Sequence, residues 1–314
     1  MNTNSVSDLK QPYIVGVGGA NMDIHARLRG PLVMRDSNPG IFGTTAGGVA
    51  RNVLDNACRL GISCVLLSAV GNDPFGSSVL DSCRSVGMDT SHVLISEDFS
   101  TGCYLALIDD SGDMAVAAND TRIVENIPLP YFEENEALIR NASAVFCDPN
   151  LTRNQILKLK EISGDVKLFL DPVSTIKAER IKDILGSFYF IKPNLMELEY
   201  LSGIDCRTDS DIERASDKLL QSGLYSICVS LGEKGCFYKD LDGNRFFRSL
   251  KRKIELADAT GAGDAFMAGM MAAYIKKYSV EKCLDYALCA GAAAAMSEST
   301  INPELSEEYI LTFL

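Results

Sequence analysis

Short apolar runs rich in Val, Ile, Leu and Phe alternate along the chain with longer segments whose apolar residues recur every three to four positions. The runs predict strands over 13–17, 64–70, 144–147, 166–171, 188–192 and 227–231. The longer segments predict helices near 47–60, 74–86, 152–162, 177–185, 194–202 and 209–222. Strands that are apolar on both faces and alternate with helices imply an α/β fold, with a mainly parallel sheet covered on both sides.

Two stretches break this rhythm. Residues 24–29, and the pair 102–109 and 114–119 joined by Asp110-Ser-Gly-Asp113, alternate like a small antiparallel sheet, with Gly112 in the turn. Such strands could form a flap over a site or an ordinary edge hairpin. After residue 251 two long helices are predicted, about 261–277 and 279–297. The run Ala290-Gly-Ala-Ala-Ala-Ala295 suits either close helix packing or a wall for a flat ligand ring. Internal repeats, low-complexity segments and linkers are not evident, and 314 residues suffice for one large domain with an elaboration.

Composition narrows the partners. With 46% hydrophobic and 23% charged residues the chain has the balance of a soluble globular protein. A formal charge of −12, from 42 acidic and 30 basic residues without a basic stripe, disfavours nucleic acid. The ten cysteines form no C-x-x-C pair and several sit in apolar runs, so they read as reduced core residues of a cytoplasmic protein. Met1 to Pro12 is polar and lacks a signal-peptide layout, and no apolar run reaches the roughly 20 residues of a membrane span.

The chemistry concentrates in Asp258-Ala-Thr-Gly-Ala-Gly-Asp264, where a glycine-rich turn enters an amphipathic helix. The backbone amides of Gly261, Ala262 and Gly263, with the positive end of the helix behind them, can hold an anion. Asp264 could be a base beside that anion or simply a helix cap. The chain has no G-x-x-x-x-G-K-[ST] phosphate loop, and Gly16-x-Gly18-x-x-Asn21 lacks the third glycine of a dinucleotide fingerprint. Asn21 and Asp23 follow the first strand at the end where open α/β sheets bind ligands, and would suit a polyhydroxyl substrate. Gly47 and Gly48 open the first long helix, with Asn52 just inside it. They read either as a close-approach ligand site or as a helix start. Asn194 and Glu197, after Lys192-Pro193, could organise Mg²⁺ or form an N-terminal cap.

On these residues the chain resembles the ribokinase-like (PfkB) carbohydrate and nucleoside kinases over essentially its whole length. The resemblance rests on Gly18-Gly19-x-Asn21-x-Asp23 with Gly47-Gly48-x-x-x-Asn52, on Asn194-x-x-Glu197, and on Asp258-x-Thr260-Gly-Ala-Gly-Asp264. It implies a single kinase domain over 1–314, a three-layer α/β/α fold, and a β-sheet lid from about 23–42 and 101–120. It implies ATP and Mg²⁺ as cofactors and K⁺ beside the anion-binding turn. The implied roles are Asp264 as base, Gly261 to Gly263 as anion hole, and Asn194 and Glu197 on the Mg²⁺ and phosphate network. Lys192, Ser230, Gly232, Gly235 and Thr260 fall near the nucleotide, Asp258 and Thr260 near the monovalent cation, and Asn21, Asp23, Gly47, Gly48 and Asn52 at the acceptor.

Within the family the chain is similar to pseudouridine kinases through Asp36-Ser-Asn-Pro-Gly40, Ala117-Ala-Asn-Asp120, Asp171-Pro-Val-Ser174 and Lys192-Pro-Asn194. That likeness implies a nucleoside acceptor, with Asp36, Ser37, Asn38 and Asp120 near its base. Ribokinase, fructokinase and adenosine kinase activities, and a catalytically silent ligand-binding protein, share the same frame. The resemblance also admits a homodimer formed through the lid.

Overall fold

The computed structural model describes residues 11–250 and 254–314, so part of the polar N-terminal segment lies outside the described residues. The strands, in chain order, are β1 (Tyr13–Val17), β2 (Asn21–Leu28), β3 (Gly40–Gly47), β4 (Ser63–Leu67), β5 (Ala69–Gly71), β6 (Leu94–Ser96), β7 (Gly102–Ile108) and β8 (Met114–Asp120). Next come β9 (Ala144–Cys147), β10 (Leu168–Leu170), β11 (Phe190–Ile191), β12 (Ser226–Ser230), β13 (Cys236–Asp240) and β14 (Arg245–Arg248). The helices are α1 (Val49–Arg59), α2 (Pro74–Ser85), α3 (Arg122–Glu125), α4 (Leu129–Glu134), α5 (Glu136–Arg140) and α6 (Arg153–Ser163). After them come α7 (Thr175–Ala178), α8 (Leu195–Ser202), α9 (Asp209–Gln221), α10 (Ala262–Ile275), α11 (Val280–Ala295) and α12 (Glu307–Leu311).

The central sheet has eight strands in the order β14-β13-β12-β11-β10-β9-β1-β4. From β12 to β4 the pairing is parallel, and β13 and β14 add an antiparallel edge. Alternate strand residues feed two cores, which is why the strands read as continuous apolar runs. Ile14, Leu66, Phe146, Phe169 and Phe190 enter the layer packed against α1, α10 and α11. Val15, Val65, Val145, Leu170 and Ile191 enter the opposite layer, with α6, α8 and α9. The β13–β14 hairpin was not anticipated, because its edge strand Arg245-Phe-Phe-Arg248 is short, charged at both ends and nowhere fully buried, and so gives no continuous apolar run.

The predicted 64–70 strand divides into β4 and β5 at Ser68, whose hydroxyl donates to Gly18 O at 2.6 Å. The predicted helix at 177–185 shortens to α7. Bonds from Arg180 N to Lys177 O, Ile181 N to Ala178 O and Ile184 N to Ile181 O tighten the rest of that segment into three-residue turns. The alanine run serves close packing: a Cβ on Gly269 of α10 would lie 2.9 Å from the Ala290 Cβ of α11.

The lid is a separate four-stranded sheet, β3-β2-β7-β8. It is mixed rather than antiparallel throughout: β2 pairs with β3 and β7 with β8 in antiparallel fashion, but β2 and β7 run parallel. The chain passes through the main body between them, and a parallel pair requires such a crossover. The Asp109–Asp113 turn forms as anticipated, with Gly112 at φ 92°. The lid exposes Met34, Ile41, Phe42, Met114 and Val116. No described helix is long and apolar enough to cross a membrane.

Candidate active site

Parallel strands end together, and the loops leaving β1, β9, β10 and β11 converge on the start of α10. Gly261 caps α10 in the left-handed conformation, φ 79°, where a side chain would collide with Thr300 O. Glycine is therefore required for the turn. The structure does not leave all three expected amides open: Ala262 N donates to Ala259 O at 3.2 Å, so among the described residues it is the Gly263 amide at the start of α10 that faces a ligand. Asp264 stands in the first turn of α10. Its carboxylate is not spent on capping: Oδ2 accepts from Asn52 Nδ2 of α1 at 2.9 Å. Burial first, then the charge of Asp171, pushes the Asp264 carboxyl up to about 7, against the Asn52 hydrogen bond and Lys192. A carboxylate with that affinity for a proton can act as a base near neutral pH.

Asn52 is held in turn by Arg51 Nη1, which donates to its Oδ1 at 2.6 Å and so presents its Nδ2 to Asp264. Nearby, Asn21 Nδ2 donates to Asp23 Oδ1 at 2.5 Å. Burial raises Asp23 to about 6, opposed by the charges of His25 and Arg51 and by the Asn21 bond. Gly47 makes room for it, since a Cβ there would overlap the Asp23 carboxylate. Gly48 caps α1. Asn21, Asp23, Gly47, Gly48 and Asn52 thus form one wall leading to Asp264.

On the other side, Asn194 and Glu197 form a reciprocal capping box. Asn194 N donates to Glu197 Oε2, and Glu197 N to Asn194 Oδ1, each at 2.9 Å. The cap reading is realised, yet Glu197 Oε1 is left for another partner. Burial and the Asp171 charge push Glu197 up to about 7. Ser230 pairs with this corner through a bridge to Asn194, and the Gly232–Lys234 turn with Gly235 continues the same rim. Burial opposes the charge on Lys192, but Asp171, 2.8 Å from its Nζ, outweighs that and raises it. Among the described residues no three His, Cys, Asp or Glu gather into a metal cage. The donor set here fits Mg²⁺, which keeps waters and phosphate oxygens and needs only one or two protein ligands. Asp258 and Thr260 lie on an exposed loop, where Asp258 Oδ1 accepts from Thr260 N at 2.8 Å.

The four base-side residues named from the lid are not brought to this cluster. β2 and β3 pair from Asn21↔Gly47 beside the site to Leu28↔Gly40. Asp36, Ser37 and Asn38 lie beyond that far end, about 23 Å along the strand. The Asn38 amide is engaged by its own loop, accepting from Val33 N and donating to Val33 O and Asp36 O. Asp120 is bound by Arg122 at 2.6 Å, which lowers it to about 2. It also falls on the face opposite Asp23. Cross-strand partners share a face, and the row containing Asp23 is Thr45, Asp23, Tyr104 and Asn119, whereas Asp120 sits in the row of Met22 and Cys103. Period-two alternation points to Asn119, one residue earlier, a distinction that needs the register.

Asp148, fully buried, is a residue that the motifs did not single out. Its Oδ2 accepts from Gly19 N at 3.0 Å and Ala50 N at 2.9 Å, tying the β1 turn to the start of α1. Asp148 and Asp171 both follow apolar strands at their carboxyl ends, a signal present in the sequence.

Comparison with known proteins agrees with this geometry. Residues 11–307 match the family described as pfkB family carbohydrate kinase. The chain is 32% identical to the pseudouridine kinase of Escherichia coli K12, over 97% of each chain. It is 27% identical to the guanosine-inosine kinase of Exiguobacterium acetylicum, over 93% of this chain and 97% of that one. The Arabidopsis thaliana ribokinase, solved with ribose and ATP, superposes with a TM-score of 0.86 at 22% identity, covering 96% of this chain and 98% of the other. Fold, motif geometry and these likenesses agree, and the chain belongs to the pfkB family of carbohydrate kinases.

Proposed function

We propose that the protein transfers the γ-phosphoryl group of ATP to the 5′-hydroxyl of pseudouridine, giving pseudouridine 5′-phosphate and ADP. The observation that carries the reaction is the Asp264 carboxylate, free of capping duty, oriented by Asn52 and standing beside the Gly261–Gly263 turn at the start of α10. In this reading Asp264 takes the hydroxyl proton as the oxygen attacks the γ-phosphorus and the bond to the leaving ADP oxygen breaks. The Gly263 amide of the turn and the Lys192 ammonium meet charge on the transferred group. Mg²⁺ would draw on Asn194 and the free oxygen of Glu197, and when bound supplies neutralisation of phosphate charge. Asn21 and Asp23 hold the sugar hydroxyls.

The acceptor is read from the likeness to the E. coli enzyme. The exposed N1–H of pseudouridine, which uridine lacks, would give an amide such as Asn119 something to accept, and an unpaired partner discriminates strongly. The test is a turnover assay with MgATP across pseudouridine, uridine, guanosine, adenosine, ribose and fructose. Pseudouridine is expected to give the highest kcat/KM. A clear preference for another acceptor overturns the acceptor assignment alone, and no ADP release with any of them overturns the kinase reading.

A further inference from the structure

Neighbouring parallel strands β10 and β11 end in register at Leu170↔Ile191, so Asp171 and Lys192 leave the sheet side by side. Both are nearly inaccessible, at 7% and 5% exposure, and Asp171 Oδ2 lies 2.8 Å from Lys192 Nζ. The lysine then reaches towards α10: a Cβ placed on Gly263 would lie 3.2 Å from Nζ. The ammonium is thus seated against the turn whose Gly263 amide faces the incoming phosphoryl group.

The loop carrying Asp171 is strained. Val173 has φ 67°, a conformation that β-branched residues rarely adopt, and Ser174 N closes onto Pro172 O at 2.7 Å in a three-residue turn. The same turn brings Val173 N to Asp171 Oδ1 at 2.8 Å. One carboxylate oxygen is thereby fixed by the backbone, leaving the other directed at Lys192. Strain of this kind persists where the surroundings over-determine it, and it clusters at functional sites.

Lys192 sits among three carboxylates, Asp171, Glu197 and Asp264, yet among the described residues only Asp171 is within ion-pair distance. An ammonium free to choose would pair with Asp264 and stabilise its ionised form, weakening it as a proton acceptor. Lysine is a compact point charge on a flexible stem, so its place must be imposed from outside. Resting on the reading of Gly261–Gly263 as the phosphoryl-binding turn, we propose that Asp171 is a positioning residue for phosphoryl transfer: it holds the Lys192 ammonium on Gly263 and away from Asp264.

The test uses the full chain, checked for folding by circular dichroism, with steady-state kinetics on the best acceptor. Asp171→Asn is expected to lower kcat by about 10- to 100-fold, the range for a lost hydrogen bond to a charged group, while the acceptor KM changes by less than about 3-fold. Because Asp171 acts through Lys192, adding Asp171→Asn to Lys192→Met should cost little more than Lys192→Met alone. Asp171→Glu, with its charge kept but its arm longer, should recover part of the loss. Wild-type kcat in folded Asp171→Asn, no recovery in Asp171→Glu, or multiplying losses in the double variant, overturns the inference. If Asp264→Asn is also as active as wild type, it is the underlying site assignment that has failed instead.

Discussion

In the floor of the site several polar side chains are held across long stretches of sequence: Asp264 by Asn52, Lys192 by Asp171, and Asp148 by the amides of Gly19 and Ala50. In the lid Asn38 and Asp120 are engaged by near neighbours in the chain, Val33 and Arg122, and β8 is exposed along its whole length. The floor has the cross-bracing that fixed reaction geometry needs, and burial there raises four carboxyls, those of Asp23, Asp148, Glu197 and Asp264. The lid has little of it, one side-chain bond between its described strands, from Tyr104 of β7 to Met114 of β8. On the proposed reading, reaction type is carried by the floor and acceptor choice by the lid.

The sharpest way to break this division is Asp264→Asn, expected to lower kcat by about two to four orders of magnitude with KM nearly constant. In the wild type, kcat/KM should fall about tenfold per pH unit below about 7, as the Asp264 carboxylate is protonated. The same shift has the opposite sign for folding. A carboxyl whose pKa is raised in the folded state stabilises at low pH, and that contribution is lost as pH rises from about 4 towards 7. Asp264→Asn should therefore melt higher than wild type at pH 8. A lower melting temperature would count against the burial cost. Next in size is Gly263→Val, which puts bulk against Lys192 and the turn: about 10²- to 10³-fold in kcat, with ATP affinity in a calorimetric titration largely kept.

Asp23→Ala lies at the junction of the two regions and should act on KM rather than kcat, by about tenfold, because its contacts exist before the reaction as well as during it. In the lid itself, Asn119→Ala should narrow the preference for pseudouridine over uridine in kcat/KM, and Asp120→Ala should leave it within about twofold. The reverse result would overturn the face assignment. The smallest effect expected is a few-fold higher rate in K⁺ than in Na⁺ at equal ionic strength, from the Asp258 and Thr260 loop. Equal rates remove the cation from the mechanism.

The floor was legible in the sequence because its parts are local: glycines beside the carboxylate they serve, as in Gly261-Ala-Gly-Asp264, or Asn194 three residues before Glu197. The six parallel strands were legible because burial on both faces leaves uninterrupted apolar runs. What escaped depends on pairing between distant segments. The parallel β2–β7 contact, the face occupied by Asn119 rather than Asp120, and the Asp171–Lys192 pair depend on register, which no single segment encodes. Asp148 escaped for a related reason: its partners lie 129 and 98 residues away.

The close fit of α10 on α11, through Gly269, Ala287 and Ala290, bears on how the enzyme behaves with temperature. Alanine and glycine have no side-chain rotamers, so this contact has no rotameric entropy to release on warming. The helix that carries Asp264 is set by main chain against main chain, and its position should drift little until the fold itself gives way. Warming would then act on the rate through the barrier and the lid, with the platform beneath Asp264 staying in place.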